Sequence, residues 1–220
     1  MIQIEPTADG SYTLYVPQMD EHYHSVKGAL TESEHIFIRM GLEHSQAVSP
    51  RVLEIGFGTG LNAFLTLLAA DRNCRHVHYT TVERYPVDME TVHALRYAET
   101  VCPQRATDFY ALHAAPWNTD YVLSPYFVLH KQEADFTELS WEPSRFDVIY
   151  FDAFAPEKQP EMWNQELFNS LFNSLSPGGI FVTYCAKGVV RRMLQSAGFV
   201  MERLPGPPGG KREILRGTKP

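Results

Sequence analysis

Val52-Leu53-Glu54-Ile55-Gly56-Phe57-Gly58-Thr59-Gly60-Leu61-Asn62 carries the chain from an apolar strand, over three glycines at alternate positions, into an apolar helix spanning Leu61–Ala70. Glycine lacks a Cβ, so the backbone turns tightly out of the strand and a ligand can approach where any side chain would collide. The helix that follows aims its first amides at whatever lies over the turn. The spacing is GxGxG, with Leu61 where the dinucleotide fingerprint GxGxxG has glycine, and this counts against NAD. Glu83 lies 23 residues beyond Gly60, at the end of a second strand, Val77–Val82. An acid at about 20 residues is placed to accept hydrogen bonds from ribose hydroxyls. Turn and acid together point to an adenosine-containing ligand.

Around this turn, short β-rich runs alternate with helical patterns, the signature of an α/β sheet with parallel strands. Further strands are expected over Tyr126–His130, Phe146–Phe151 and Gly179–Tyr184, the last announced by the turn Ser176-Pro177-Gly178-Gly179. Helices are expected from Pro86 through Tyr97 and from Lys187 to Ala197. Phe199–Leu204 and Glu213–Arg216, separated by the Pro/Gly-rich run Pro205 to Gly210, read as a closing hairpin. A doubly wound, mostly parallel sheet ending in an antiparallel hairpin is uncommon in dinucleotide dehydrogenases. It resembles the Rossmann-like fold of class I methyltransferases. Residues 1–50, with a β-like piece at Tyr12–Val16 and a helix around Glu32–Leu42, form an N-terminal extension packed on the same domain, which occupies 51–220.

Composition narrows the class. The chain has 220 residues, 44% hydrophobic and 20% charged, enough for one domain with a substantial core. The longest apolar run, Ala63–Ala70, falls far short of the roughly 18 residues of a membrane span, so no membrane association is expected. The first twenty residues carry Glu5, Asp9 and Asp20 and no apolar core, unlike a signal peptide. Cys74, Cys102 and Cys185 form no CxxC and fit a reducing cytoplasm. The pairs His22-x-His24 and His76-x-His78 have no third ligand at a recognised spacing, so no metal is expected. The net charge of −7 is unevenly spread: residues 1–180 carry −13 and residues 181–220 carry +6. The basic end suits a polyanion.

The strand Asp147-Val148-Ile149-Tyr150-Phe151-Asp152 places Asp152 beyond its carboxyl end, at the mouth of the crevice where open α/β sheets bind ligands. Pro156 and Pro160 stiffen the segment after it. Phe154 offers a face on which a base can stack, whereas Trp163 reads as the anchor of the next helix. Tyr23-His24-Ser25 reads as structural rather than as a border of the site. Cys185 has no assignable base and reads as an inert thiol.

The glycine turn, Asp152-Ala153-Phe154-Ala155-Pro156 with Pro160-Glu161-Met162-Trp163, and the closing Gly209-Gly210-Lys211-Arg212-Glu213 closely resemble the methyltransferase domain of MnmC. That family contains the tRNA 5-methylaminomethyl-2-thiouridine methyltransferases. The resemblance runs over nearly the whole chain and includes Glu32-Ser33-Glu34-His35-Ile36-Phe37-Ile38. It implies S-adenosylmethionine as cofactor, with Gly56, Gly58, Gly60 and Glu83 as cofactor positions, Asn62 within the same motif, and Asp152 as the catalytic carboxylate. Glu54, an acid in an apolar strand, needs a donor. That donor is either the ammonium of the cofactor or a backbone or Arg partner. Asp135, or equally its neighbour Glu133, would meet the adenine amino group.

The implied acceptor is the 5-aminomethyl nitrogen of the wobble uridine in a tRNA anticodon loop, where the base is already single-stranded. Lys187, Arg191 and Arg192 at a helix start, with Lys211, Arg212 and Arg216 on the hairpin, would grip phosphates. The bifunctional form of the family adds an FAD-dependent domain that 220 residues leave no room for. The expectation is therefore a stand-alone methyltransferase, in transient contact with the enzymes that install the aminomethyl group. Two alternatives stand beside it. A methyltransferase for a small-molecule amine leaves the basic end without a task, and a catalytically silent binding subunit does not need Gly56, Gly58, Gly60, Glu83 and Asp152 together.

Overall fold

A computed structural model describes residues 2–220. The chain opens with three short antiparallel strands, β1 (Gln3–Pro6), β2 (Tyr12–Val16) and β3 (Glu21–His22). Helix α1 (Ala29–Ser33) follows and continues as a wider, π-helical segment, Glu34–Leu42. Then come β4 (Arg51–Ile55), α2 (Leu61–Arg72), β5 (Val77–Glu83), α3 (Met89–Leu95), the single turn α4 (Tyr97–Thr100) and α5 (Ala106–Ala114). The second half holds β6 (Asp120–Ser124), β7 (Phe127–Glu133), β8 (Phe146–Phe151), α6 (Gln165–Ser174), β9 (Leu175–Thr183), α7 (Gly188–Ala197), β10 (Val200–Pro205) and β11 (Glu213–Thr218).

Eight strands form one sheet in the order β10-β11-β9-β8-β4-β5-β7-β6. The five central strands, β9, β8, β4, β5 and β7, run parallel, while β11 is antiparallel to β9, β10 to β11, and β6 to β7. This is the doubly wound sheet with a closing hairpin that the sequence leads one to expect. A parallel sheet is covered on both faces, so its strands are apolar throughout. β8 illustrates it. Val148 and Tyr150 join a core layer with Phe37, Phe64 and Tyr79, while Ile149 and Phe151 join the opposite layer with Phe168, Phe181 and Leu194. Leu14, Ala29 and Ile36 from the N-terminal segment lie in the first of these layers.

Several boundaries differ from expectation, each for a local reason. The helix expected from Pro86 starts at Met89, because Asp88 caps it by accepting from the Thr91 amide at 2.8 Å. It ends at Arg96, which adopts a left-handed conformation (φ 56°). The strand expected over Tyr126–His130 runs on to Glu133 and is flanked by β6, an edge strand whose mixed sequence Asp-Tyr-Val-Leu-Ser gave no signal. The helix around Glu32–Leu42 begins earlier, at Ala29, and its wider turns are closed by bonds such as Glu43 N to Ile38 O at 2.9 Å.

Topology decides where the site lies. Going outward from β4, the chain passes to β5 and β7 on one side and to β8 and β9 on the other, so a crevice opens at the carboxyl ends of β4 and β8. The two ends touch: a Cβ added at Gly56 would stand 3.3 Å from the Asp152 carbonyl oxygen. Because β11 is antiparallel to β9, it starts at this same carboxyl edge. The turn joining β10 to β11 therefore overhangs the crevice.

Candidate active site

The glycine turn is held open by backbone conformations that side chains disfavour. Gly58 has φ 50° and Gly60 has φ 73°, both left-handed. A Cβ at Gly58 would come within 3.1 Å of the Tyr23 ring, and one at Gly60 within 2.6 Å of His113 Nε2. The Gly58 amide donates to Glu83 Oε2 at 2.9 Å, and the Tyr85 amide donates to Glu83 Oε1 at 2.7 Å. Glu83 thus pins the turn to the end of β5 and still keeps lone pairs for a ligand, since a carboxylate has about four acceptor sites.

Asp152 stands half-buried at the centre of the crevice. Asn62, in the first turn of α2, donates to its Oδ2 at 2.8 Å. Burial, and next the negative charge of Glu32, raise the Asp152 carboxyl to about 7, against the bond from Asn62 and the charge of Lys211. Behind Asn62 lies Glu54, fully enclosed, accepting from the Thr81 hydroxyl at 2.8 Å and facing Tyr79 and Asn62. Burial pushes its carboxyl well above the usual range. The buried Asn62 Oδ1 and Glu54 Oε1 both lack a hydrogen-bond partner among the described residues.

The N-terminal segment and the hairpin turn supply the opposite wall. Glu32, buried on α1, accepts from the Ser25 amide at 3.0 Å and from Lys211 Nζ at 2.6 Å. The same Lys211 Nζ lies 4.4 Å from the centre of the Tyr184 ring, whose hydroxyl donates to the Ala153 carbonyl at 2.9 Å. His24 is buried and bonded to Thr59 Oγ1 at 2.7 Å, and burial lowers its pKa to about 4. Tyr23 packs edge-on against Phe154 at 5.1 Å.

One cavity of about 970 Å³ joins these groups and is lined by Gly56, Gly58, Asn62, Glu83, Asp135 and Asp152, with Phe154, Lys187, Lys211 and Arg212 toward its rim. Of the two acids at the end of β7 and just beyond it, Asp135 faces the cavity, fixed by Thr137 and by Arg84 Nη1 at 2.5 Å, and Glu133 does not line it.

Other expectations need correction. Glu54 does not line the cavity: it is sealed behind the turn, so its donor is protein and not a ligand ammonium. Gly60 also lies off the cavity and serves the close passage of α2 against His113. Asn62 orients Asp152 besides lining the cavity. On the basic end, Arg216 is buried in a pair with Glu202, Lys187 pairs with Glu157, and Lys211 is turned inward. Arg191 lies on α7 outside the cavity. Lys187, Lys211 and Arg212 all stay exposed and line the cavity, and of the three only Arg212 is in no ion pair among the described residues. Trp163 anchors the segment after Asp152 by donating to the Phe154 carbonyl at 2.8 Å.

Tyr23, His24, Glu32 and Tyr184 also line the cavity, outside the residues the sequence points to. Glu32 alone left a signal: Ala29, Glu32, Ser33, Ile36 and Phe37 make an apolar helical stripe interrupted by one acid.

Comparison with known proteins agrees with this geometry. Residues 129–220 match the family described as S-adenosyl-L-methionine-dependent methyltransferase. Over 226 residues the chain is 30% identical to the tRNA 5-methylaminomethyl-2-thiouridine biosynthesis bifunctional protein MnmC of Cupriavidus metallidurans, covering 96% of this chain and 33% of that protein. The Pseudomonas putida protein of the same name is also 30% identical, over 90% of this chain and 32% of its own length. The chain thus spans about a third of the length of the curated relatives it matches. Among solved structures, MNMC2 from Aquifex aeolicus has a TM-score of 0.76 at 24% identity, covering all of this chain and 72% of that one. Spermidine synthase from Thermotoga maritima has 0.63 at 18%, with coverage of 100% and 69%. Fold and sequence together define a class I S-adenosyl-L-methionine-dependent methyltransferase domain. Within that class, the chain is similar to the MnmC proteins over about a third of their length.

The residues present fit S-adenosylmethionine. The left-handed turn at Gly58 leaves a cradle, Ile55, Val82 and Phe136 give apolar walls for a flat base, and Glu83 and Asp135 offer acceptors for hydroxyl and amino groups.

Proposed function

We propose that this domain methylates the 5-aminomethyl nitrogen of a wobble (thio)uridine in tRNA, with Gly56, Gly58, Glu83 and Asp135 holding the cofactor. One observation carries the reading: an acid raised to about 7, Asp152, stands where the glycine turn meets a wall built to face a cation, Glu32 and Tyr184. The name of the MnmC relatives supports tRNA as the carrier of the amine.

S-adenosylmethionine supplies a methyl group on a positively charged sulfur, open to direct displacement by an amine. An alkylammonium has no lone pair, so the amine must first lose a proton. Asp152 in its ionised form accepts that proton, and the bond from Asn62 holds its second oxygen toward the cavity. Proton removal of this kind contributes about 10²- to 10⁴-fold, in addition to the benefit of positioning. Phe154, braced by Tyr23, offers its face to the uridine. Arg212 at the rim, and Arg191 and Arg192 on the outer side of α7, meet phosphates.

The test is labelled S-adenosylmethionine offered with tRNA bearing aminomethyluridine, with the free nucleoside, and with no acceptor. Label in tRNA supports the proposal. Label in the nucleoside alone indicates a small-amine enzyme, and none in either a binding subunit.

A further inference from the structure

Lys211 and Glu32 are unlike as partners. Lys211 comes from the exposed turn between β10 and β11, on a flexible four-carbon stem. Glu32 is fixed: it is buried on α1, and its Oε2 is held by the Ser25 amide at 3.0 Å. Such a carboxylate needs a cation, and the one it has lies 2.6 Å from Oε1 and 4.4 Å from the centre of the Tyr184 ring. One carboxylate and one aromatic face are the groups that recognise an alkylammonium. The head of a lysine, a methylene bearing an ammonium, is chemically the same group as the aminomethyl arm of the proposed acceptor. The charges of both Glu32 and Lys211 act on Asp152, so this pair and the acid share one end of the cavity.

We propose that Glu32 and the face of Tyr184 form the ammonium subsite for the acceptor, and that Lys211 is an internal stand-in which the acceptor displaces. This rests on the amine-acceptor reading above. Displaced from Glu32, Lys211 sits beside Arg212 on the rim, where a phosphate can receive it. A ligand that offers both an amine and phosphates therefore compensates the lysine it moves, and a free amine does not. Lys211 is a specificity-determining residue in this scheme. It weakens binding of free amines and spares those carried on nucleic acid. If Lys211 engages Glu32 nine-tenths of the time, the apparent affinity for a free amine falls about tenfold.

The experiment uses the full chain and propylammonium as probe, with 1-propanol as the uncharged control, and follows binding by NMR titration. Lys211→Met is expected to tighten propylammonium binding about tenfold and to raise KM for tRNA more than it changes kcat. Glu32→Gln, which keeps the bond from Ser25, is expected to abolish saturable propylammonium binding and to raise KM for tRNA. Neither variant should alter the response to propanol. Unchanged or weaker propylammonium binding in Lys211→Met overturns the proposal, as does unchanged binding in Glu32→Gln. The propylammonium arm needs no turnover and no RNA. If it behaves as expected while tRNA is never methylated, the ammonium subsite stands and the tRNA reading falls.

Discussion

The amide nitrogen of Asn62 lies 2.8 Å from Asp152 Oδ2, and this bond ties the first turn of α2 to the end of β8. In the proposed function, the turn that receives the cofactor is thereby coupled to the acid that faces the acceptor. An amide can present either its nitrogen or its oxygen, and only the nitrogen serves a carboxylate. With the nitrogen on Asp152, the amide oxygen is left on the buried side, where it has no partner among the described residues.

Glu54→Gln retains an acceptor for the Thr81 hydroxyl and is expected to melt close to the wild type and to keep its turnover. Glu54→Leu strands the Thr81 hydroxyl that donates to it, a loss of about 1–3 kcal/mol for a buried unpaired group. Thermal unfolding of the two variants side by side checks this. Equal loss in both would mean that the carboxyl acts as a charge and not as an acceptor.

Asp152→Asn is expected to bind the cofactor normally and to lose at least about 100-fold in turnover. The same change should stabilise the fold. The folded pKa, about 7, exceeds the ordinary 3.8, so the unfolded chain releases this proton first. Stability from this group therefore falls as pH rises from about 4 to 7. Asn removes that fall, and its advantage in denaturant titrations should be larger at pH 8 than at pH 5.

Turnover at saturating substrate should rise with pH through a midpoint near 7, as Asp152 ionises. Glu32 raises that pKa and Lys211 lowers it. Hence Glu32→Gln should move the midpoint to lower pH and Lys211→Met to higher pH. Identical profiles in all three proteins would remove Asp152 as the titrating group.

The two inner glycines should fail differently. Gly60→Ala places a Cβ 2.6 Å from His113 Nε2 in a left-handed conformation that itself costs about 1–2 kcal/mol, so it should lower the melting temperature. Gly58→Ala, beside Tyr23 and under the bond to Glu83, should weaken cofactor binding as well. Calorimetric titration of the cofactor separates the two.

What could be read from the chain was what is written locally. The glycine turn, Glu83 and Asp152 each announce themselves within a dozen residues, because strand, turn and acid are consecutive. The inward turn of Lys211 could not be read, since its reason is Glu32, 179 residues away in sequence. A count of basic residues also cannot distinguish Arg216, buried on Glu202, from Arg212 on the rim. The edge strand β6 and the cap at Asp88 were missed for a similar reason: pairing with β7 and a bond to Thr91 decide them, and hydropathy does not. Tyr23 and His24 read as structural, because nothing nearby in sequence shows that the glycine turn and Phe154 pack on them.

The pairing of residue 32 with residue 211 also gives the protein an order of assembly. During synthesis, the turn at Gly58 and the acid at Asp152 emerge well before the hairpin that closes the far wall. Until Lys211 has left the ribosome, a nascent chain holds Glu32 and Tyr184 without the lysine that pairs with both.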